Sequence, residues 1–370
     1  MKSIRIAIGF LGVMIIMFIF SACSYNEQYT SDSILKKQWY LENTGDASCI
    51  SSSSEYLEYL TMEPGVDIGY SQLLKVIKKN SFEKGVIVAV IDTGVDFNHE
   101  ALKAVKWCGK KQMDYPKNNG NYIIDKKSQS VLPSNDDTIS SAHGTKCAGI
   151  IAAQNNKEGF VGIASMCDPK IMSINLTENF SSNDLGGIAD LIAAIEFAES
   201  NGAKICNISL STDIFRSELE KVMEASKMLF VVSAGNSPTL GVNIDKKPVY
   251  PASFILPNVI TVANLAYDGK LNRHSNYGSN SVDIAAPGTC IYSTTFNNDY
   301  DFSTGTSVAA PMVTAAAAIL YAYDGKLPAS EAKDIIMDSV DKRIALENKV
   351  KSGGFLNASK AVEYLLDNLQ

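Results

Sequence analysis

A chain of 370 residues can bury one large core or two modest ones, and 46% hydrophobic with 20% charged residues describes a globular protein, not a disordered one. A formal net charge of −7 argues against nucleic acid as a partner, because a phosphate backbone asks for a basic face. No repeat of fixed period and no run of like charge is present.

The first segment is unlike the rest. Lys2 and Arg5 precede an uncharged run from Ile6 to Phe20, and Ser21, Ala22 and Cys23 follow. A charged start, an apolar stretch of this length and a small-residue site read as an export signal over residues 1–22. The run is short for a membrane span of roughly 20 residues. Ser21-Ala22-Cys23 resembles the bacterial lipobox, although Phe20 stands where leucine is usual. That resemblance implies a lipid on Cys23 and a tether at the extracytoplasmic face of the cell membrane; a plain secretory signal is the alternative. Residues 23–84 form an amino-terminal segment, with a serine-rich loop at 48-SCISSSS-54 and a helix-like 71-SQLLKVIKK-79.

From Gly85 the pattern changes, and residues 85–370 read as one domain. VIVAVI (86–91), KIMSIN (170–175), AKICNIS (203–209), MLFVVSA (228–234) and NVITVAN (258–264) are apolar runs suited to strands buried on both faces. Helices are predicted at 143–153, 185–202 and 214–227, and a buried one runs through Pro311 and the uncharged MVTAAAAILYAY after it. This alternation predicts an α/β fold with a mostly parallel sheet covered by helices, its functional loops at the carboxyl ends of the strands. With lipid on Cys23, six cysteines remain: Cys49, Cys108, Cys147, Cys167, Cys206 and Cys290. Export would permit disulfides, but sequence cannot choose the pairs. Cys147 and Cys206 lie inside apolar runs and read as buried thiols.

Three polar residues sit at glycine-punctuated turns. Asp92 ends the first strand in 91-IDTGVDFNHE-100, His143 opens the helix 143-HGTKCAGIIAA-153, and Ser307 lies in 303-STGTSVAAPMV-313. Gly305, Thr306, Ala309 and Ala310 leave room for close approach, and Pro311 fits the first turn of a helix. A helix amino end favours developing negative charge, so Ser307 reads as a nucleophile or as an ordinary N-cap. The chain has three histidines, His99, His143 and His274, and a lone histidine is often structural. Asp, His and Ser together are what acyl transfer needs. Serine must lose a proton to attack a carbonyl, histidine can take it near neutral pH, and a buried carboxylate fixes the imidazole tautomer.

IDTGVD (91–96), HGTKCAGIIA (143–152) and GTSVAAPMV (305–313) resemble the three catalytic signatures of the subtilisin-like serine proteases, the subtilases, in that family's order. A fourth stretch, 231-VVSAGNS-237, resembles the strand end that carries the family's oxyanion-hole asparagine, here Asn236. The resemblance runs from 38-QWYLENTG-45 to 353-GGFLNASKAV-362, through 64-PGVDI-68, 248-PVYPAS-253 and 275-SNYGSNSVDIAAPG-288. It implies a three-layer α/β sandwich with a mainly parallel seven-stranded sheet. It also implies a monomeric serine endopeptidase acting on proteins or peptides, with no cofactor required. Asp92, His143 and Ser307 would be the triad and Asn236 the oxyanion donor. Ser209, Leu210, Ser233, Ala234, Gly235 and Val249 would bind substrate. Val249 stands where a glycine is common, and Ser211 and Thr212 where a glycine pair is usual, so the pocket is expected to be narrow.

Other departures from the family carry expectations. Many members hold calcium through an aspartate in H-P-D-L. Here 99-HEAL-102 puts Ala101 in that place, and 154-QNNKEGF-160 offers Asn156 and carbonyls. A calcium site without its main carboxylate is expected to be weak or empty. Lys146, where many members have a second histidine, reads as a solvated helix charge. Residues 24–37 are too few for the folded pro-domain that secreted members usually carry. Cys147, one turn after His143, is expected to confer sensitivity to bulky thiol reagents. An α/β-hydrolase would need a histidine after its serine, and none follows Ser307. A catalytically inactive binding module would lose triad members that this chain keeps. General proteolysis and processing of one exported peptide, such as a bacteriocin leader, both stay open.

Overall fold

The computed structural model describes residues 33–50, 61–77, 81–109, 119–125, 128, 130–134, 142–154, 159–176 and 185–369; Cys23, with the export signal, and Asn156 lie outside them. Strands form where apolar, β-branched runs meet a polar or glycine stop. They are β1 (Ile87–Asp92), β2 (Asn121–Asp125), β3 (Ser130–Pro133), β4 (Lys170–Asn175), β5 (Ile205–Ile208), β6 (Leu229–Ser233), β7 (Val259–Leu265) and β8 (Ile284–Pro287). A hairpin follows, β9 (Ile291–Thr294) and β10 (Tyr300–Ser303), and then the two-residue β11 (Asp341–Lys342) and β12 (Gly354–Phe355). The helices are α1 (Ser33–Lys37), α2 (Tyr70–Ile77), α3 (His143–Ala152), α4 (Leu185–Ser200), α5 (Ser217–Ala225), α6 (Thr306–Tyr323), α7 (Ala329–Asp338) and α8 (Ala358–Asn368).

All strands but β9 and β10 join one sheet, in the order β11-β12-β8-β7-β6-β5-β1-β4-β2-β3. The seven neighbours from β8 to β2 run parallel and are the expected seven-stranded sheet. The sheet is nevertheless wider, with 10 strands. β12 adds one parallel pair to β8 through Phe355 and Ala285, while β11 and β3 close the edges antiparallel. β11 and β12 have two residues each and β3 is a part-exposed edge strand, so no apolar run announces them.

The central strands bury both faces. Along β1, Val88 and Val90 share a core with α2, α3, α6, α7 and α8, and Ala89 and Ile91 share another with α4 and α5. The helix α6 has the length and apolarity of a membrane span, but it is 89% buried as a core helix against the sheet. The cysteines Cys49, Cys108, Cys147, Cys167, Cys206 and Cys290 are all free thiols. Because β1 lies between β4 and β5, the chain leaves it on one side and returns to build the other. Such a reversal opens a crevice at the carboxyl ends of the strands. Asp92, Ser209 and Asn236 stand there, at or just beyond the ends of the adjacent strands β1, β5 and β6.

Candidate active site

The turn after β1 brings Asp92 and His143 together. The carboxylate is almost fully buried, and His143 Nδ1 lies 2.7 Å from its Oδ1 and 2.9 Å from its Oδ2. A carboxylate only accepts, so Nδ1 carries a proton and Nε2 is the basic nitrogen. The Thr93 backbone N–H donates to Oδ1 at 2.7 Å and holds the carboxylate in place. Gly144 is required by packing, since a Cβ there would stand 2.3 Å from the Gly94 carbonyl oxygen and 3.2 Å from Asp92 Cβ. Its N–H donates to Thr93 Oγ1 at 2.9 Å, which seats α3 directly on the turn. Burial lowers the His143 pKa and the Lys146 charge opposes protonation too. The charge and hydrogen bond of Asp92 outweigh both, so the pKa lies above the ordinary histidine value.

Ser307 is the second residue of α6, half-buried at its amino end. Pro311 sits in the second turn rather than the first, as sequence had placed it. Its missing N–H deprives the Ser307 carbonyl of the helical donor four residues on. Two side chains fill that gap: Ser209 Oγ donates to the carbonyl oxygen at 3.1 Å and Cys147 Sγ at 3.4 Å. Cys147 Sγ also lies 3.7 Å from Asp92 Oδ2, so the thiol is wedged between the carboxylate and the backbone of Ser307. Burial and the Asp92 charge push that thiol well above its ordinary pKa.

The loop after β6 supplies Asn236. Its Oδ1 accepts from the Thr306 N–H at 3.0 Å, while Thr306 Oγ1 accepts from the Gly235 N–H at 3.1 Å. The Asn236 amide nitrogen and Ser307 Oγ then border one space. A Cβ built on Gly305 would stand 3.3 Å from Ser307 Oγ and 3.4 Å from Asn236 Nδ2. A substrate oxygen has room there because residue 305 is glycine. Ser233, Ala234 and Gly235 are buried, and Asn276 holds their backbone, donating from Nδ2 to the Ala234 carbonyl and from its N–H to that of Gly235.

Ser209 and Leu210 leave β5 half-buried beside this loop. Thr212 and Tyr250 exchange backbone hydrogen bonds of 2.8 and 2.7 Å, which fastens residues 209–212 to the segment that carries Val249. Val249 is half-buried and packs with Tyr250 against the core on the α4–α5 side. Ser211 Oγ comes within 3.7 Å of where a Cβ would stand on Gly235.

Comparison with known proteins shows the family of the chain. The subtilase family model, Peptidase_S8, matches residues 83–358. This chain belongs to the subtilase family. Thermitase of Thermoactinomyces vulgaris is 32% identical over 286 residues, covering 76% of this chain and 89% of thermitase. Subtilisin-like protease 2 of Plasmodium falciparum (isolate 3D7) is 33% identical over 290 residues, 75% of this chain; the chain spans 20% of that relative's length. A chain from a solved structure of the subtilase cytotoxin SubAB assembly is 23% identical. It has a TM-score of 0.66 and covers 83% of this chain and 97% of its own length, a likeness of fold.

In this subtilase Lys146 corrects the sequence reading. Its side chain is 13% exposed and is not a solvated charge. Its amine reaches Ser303 Oγ at 2.7 Å and the Phe302 carbonyl and Asp301 Oδ2 at 3.4 Å each. Ala101 is buried, and its carbonyl accepts from the Gln154 N–H at 2.8 Å. His99 is buried, with Nδ1 accepting from the Ala101 N–H at 3.2 Å and Nε2 donating to the Asp299 carbonyl at 3.1 Å. His274 Nδ1 donates to the Ser237 carbonyl at 2.9 Å. The anchoring role of Ser209 escaped sequence reading, yet it had a signal: a proline four residues after Ser307 must orphan that carbonyl.

Proposed function

We propose that this subtilase is a serine endopeptidase that cleaves peptide bonds through an acyl-enzyme on Ser307. The observation that carries the reading is the shared space at Gly305, bordered by Ser307 Oγ and Asn236 Nδ2. The ion-paired His143 whose Nδ1 is committed to Asp92 complements it. Ser307 Oγ attacks the substrate carbonyl carbon while His143 Nε2 takes its proton. The carbonyl oxygen becomes an oxyanion facing the Asn236 amide. His143 then returns the proton to the departing amine, and a water repeats the sequence to release the acid. Asp92 keeps Nδ1 protonated throughout and stabilises the imidazolium.

A fluorophosphonate probe should label the wild-type protein and spare Ser307→Ala; an unlabelled wild type sinks the proposal. Asn236→Ala should lower turnover by about 10²–10³-fold with little change in KM, a magnitude taken from subtilisin itself.

The reading extends to location and substrate. The export signal and Cys23 support a protease tethered by lipid outside the cytoplasm. Cys23→Ala should then abolish fatty-acid labelling; a wild type unlabelled in the medium would mean plain secretion. Ser211, Thr212 and Val249, carried on two fastened segments, support a restricted pocket. That favours processing of selected exported peptides over general scavenging. Calcium is expected to be dispensable, since Ala101 offers no carboxylate.

A further inference from the structure

Lysine is rarely held out of water unless its amine is occupied, and the Lys146 amine is occupied by an unusual set of partners. Its three acceptors, Asp301, Phe302 and Ser303, all lie on β10. Lys146 itself is three residues after His143 on α3, on the same face of the helix. The long side chain therefore bridges the helix of the base and the strand that runs into the turn before Ser307.

Both ends of the bridge are firmly seated. From Ser303 to Ser307 the chain is fixed residue by residue. Thr304 Oγ1 accepts from the Cys290 N–H at 2.9 Å, the Gly305 N–H donates to the Gly288 carbonyl at 2.8 Å, and the Thr306 N–H donates to Asn236 Oδ1 at 3.0 Å. At the other end, Ser293 and Thr294 of β9 donate to the carbonyls of Lys146 and Thr145, each at 2.8 Å. Gly149 lets α3 lie flat on β9, since a Cβ there would meet Thr294 Oγ1 at 2.1 Å.

We infer that Lys146 is a positioning residue: by strapping α3 to β10 it fixes the spacing between His143 and Ser307. The inference rests on the triad reading above. Two of the three acceptors are neutral, and the third, Asp301, is largely exposed, so the ammonium charge is not cancelled where it stands. It acts on the imidazole against Asp92. The titratable and charged groups around this junction are Asp92 on β1, His143, Lys146 and Cys147 on α3, and Asp301 on β10.

Lys146→Met keeps the stem and removes the ammonium. Turnover on a peptide substrate should fall about ten-fold or more with KM within about two-fold, because sub-ångström misplacement of a base penalises proton transfer more than binding. Followed by NMR, the His143 titration should move to higher pH in this variant, and Lys146→Arg should restore both. Ser303→Ala, which loosens the strap but leaves the charge, should lower turnover and leave the titration in place; it also serves if the Met variant folds poorly. A Met variant that melts lower but keeps wild-type turnover and titration would overturn the inference. A wild type that fluorophosphonate does not label, with the titration shift intact, would remove the proposed protease activity and keep the strap.

Discussion

Replacing Ser209 by alanine strips the Ser307 carbonyl of its oxygen-borne donor. The Cys147 thiol at 3.4 Å remains, but S–H is a weak donor. Asn207 Nδ2, which donates to Ser209 Oγ at 3.1 Å, loses its acceptor as well. The carbonyl is only partly buried, so the loss should lie in the lower part of the usual range, about 1–2 kcal/mol. For a chain of this size that corresponds to a melting point lower by about 1–3 °C. The decisive control is Pro311→Ala, which returns to the helix the N–H that proline lacks. In that background the same Ser209→Ala change should cost less by about 1 kcal/mol, and what is left is the orphaned Asn207 amide. Urea unfolding followed by circular dichroism, in a Ser307→Ala background that prevents self-digestion, gives all four corners of the cycle. Equal costs with proline and with alanine at position 311 would refute the reasoning.

His143 must be neutral to accept the Ser307 proton, and its pKa is raised, so kcat/KM should fall with decreasing pH along a limb centred above 6.5. Stability runs the other way: what Asp92 gains from the protonated imidazole is fully present below about 6.5 and is lost as pH rises through the raised folded value. A pH–rate profile beside melting curves checks both, and an activity limb at or below 6.5 contradicts the geometry. Lys333 Nζ lies 2.9 Å from Asp283 Oδ1, with both side chains under a tenth exposed, and it also donates to the Leu256 and Val259 carbonyls. Lys333→Ala should cost about 3–5 kcal/mol in urea unfolding, because it strands a buried carboxylate; a loss below about 1 kcal/mol would mean that the pair is open to water. Val249→Gly should broaden a peptide-library profile toward Phe and Tyr before the scissile bond, and an unchanged profile places Val249 outside the pocket.

Much of the site was legible because it depends on local constraints. Asp92 ends a run of residues suited to a buried strand, Gly144 marks a turn packed too tightly for a side chain, and Gly305 marks the space beside Ser307. The parallel centre of the sheet was legible for the same reason, since strands buried on both faces are apolar throughout. What escaped depends on distant partners. The direction taken by Lys146 is set by β10, more than 150 residues further along the chain, and nothing near residue 146 announces it. The short strands β3, β11 and β12 owe their conformation to the sheet edges they meet rather than to their own pattern. Cys147 was expected to confer thiol sensitivity, but burial and the neighbouring carboxylate leave its sulfur protonated and hard to reach; slow inactivation is the outcome that follows.

Thr306 is clasped from both sides by the β6 loop, its N–H held by Asn236 and its hydroxyl receiving Gly235. The attacking oxygen and the amide that awaits the oxyanion are therefore held as one body, and the base rides on a second, β1 and α3, joined to the first through Cys147 and Lys146. Damage far from the crevice will tend to shift these bodies against each other before it distorts either. Its first symptom should be a proton transferred late, with the grip on the oxyanion still intact. Solvent isotope effects on damaged variants would register that order of failure.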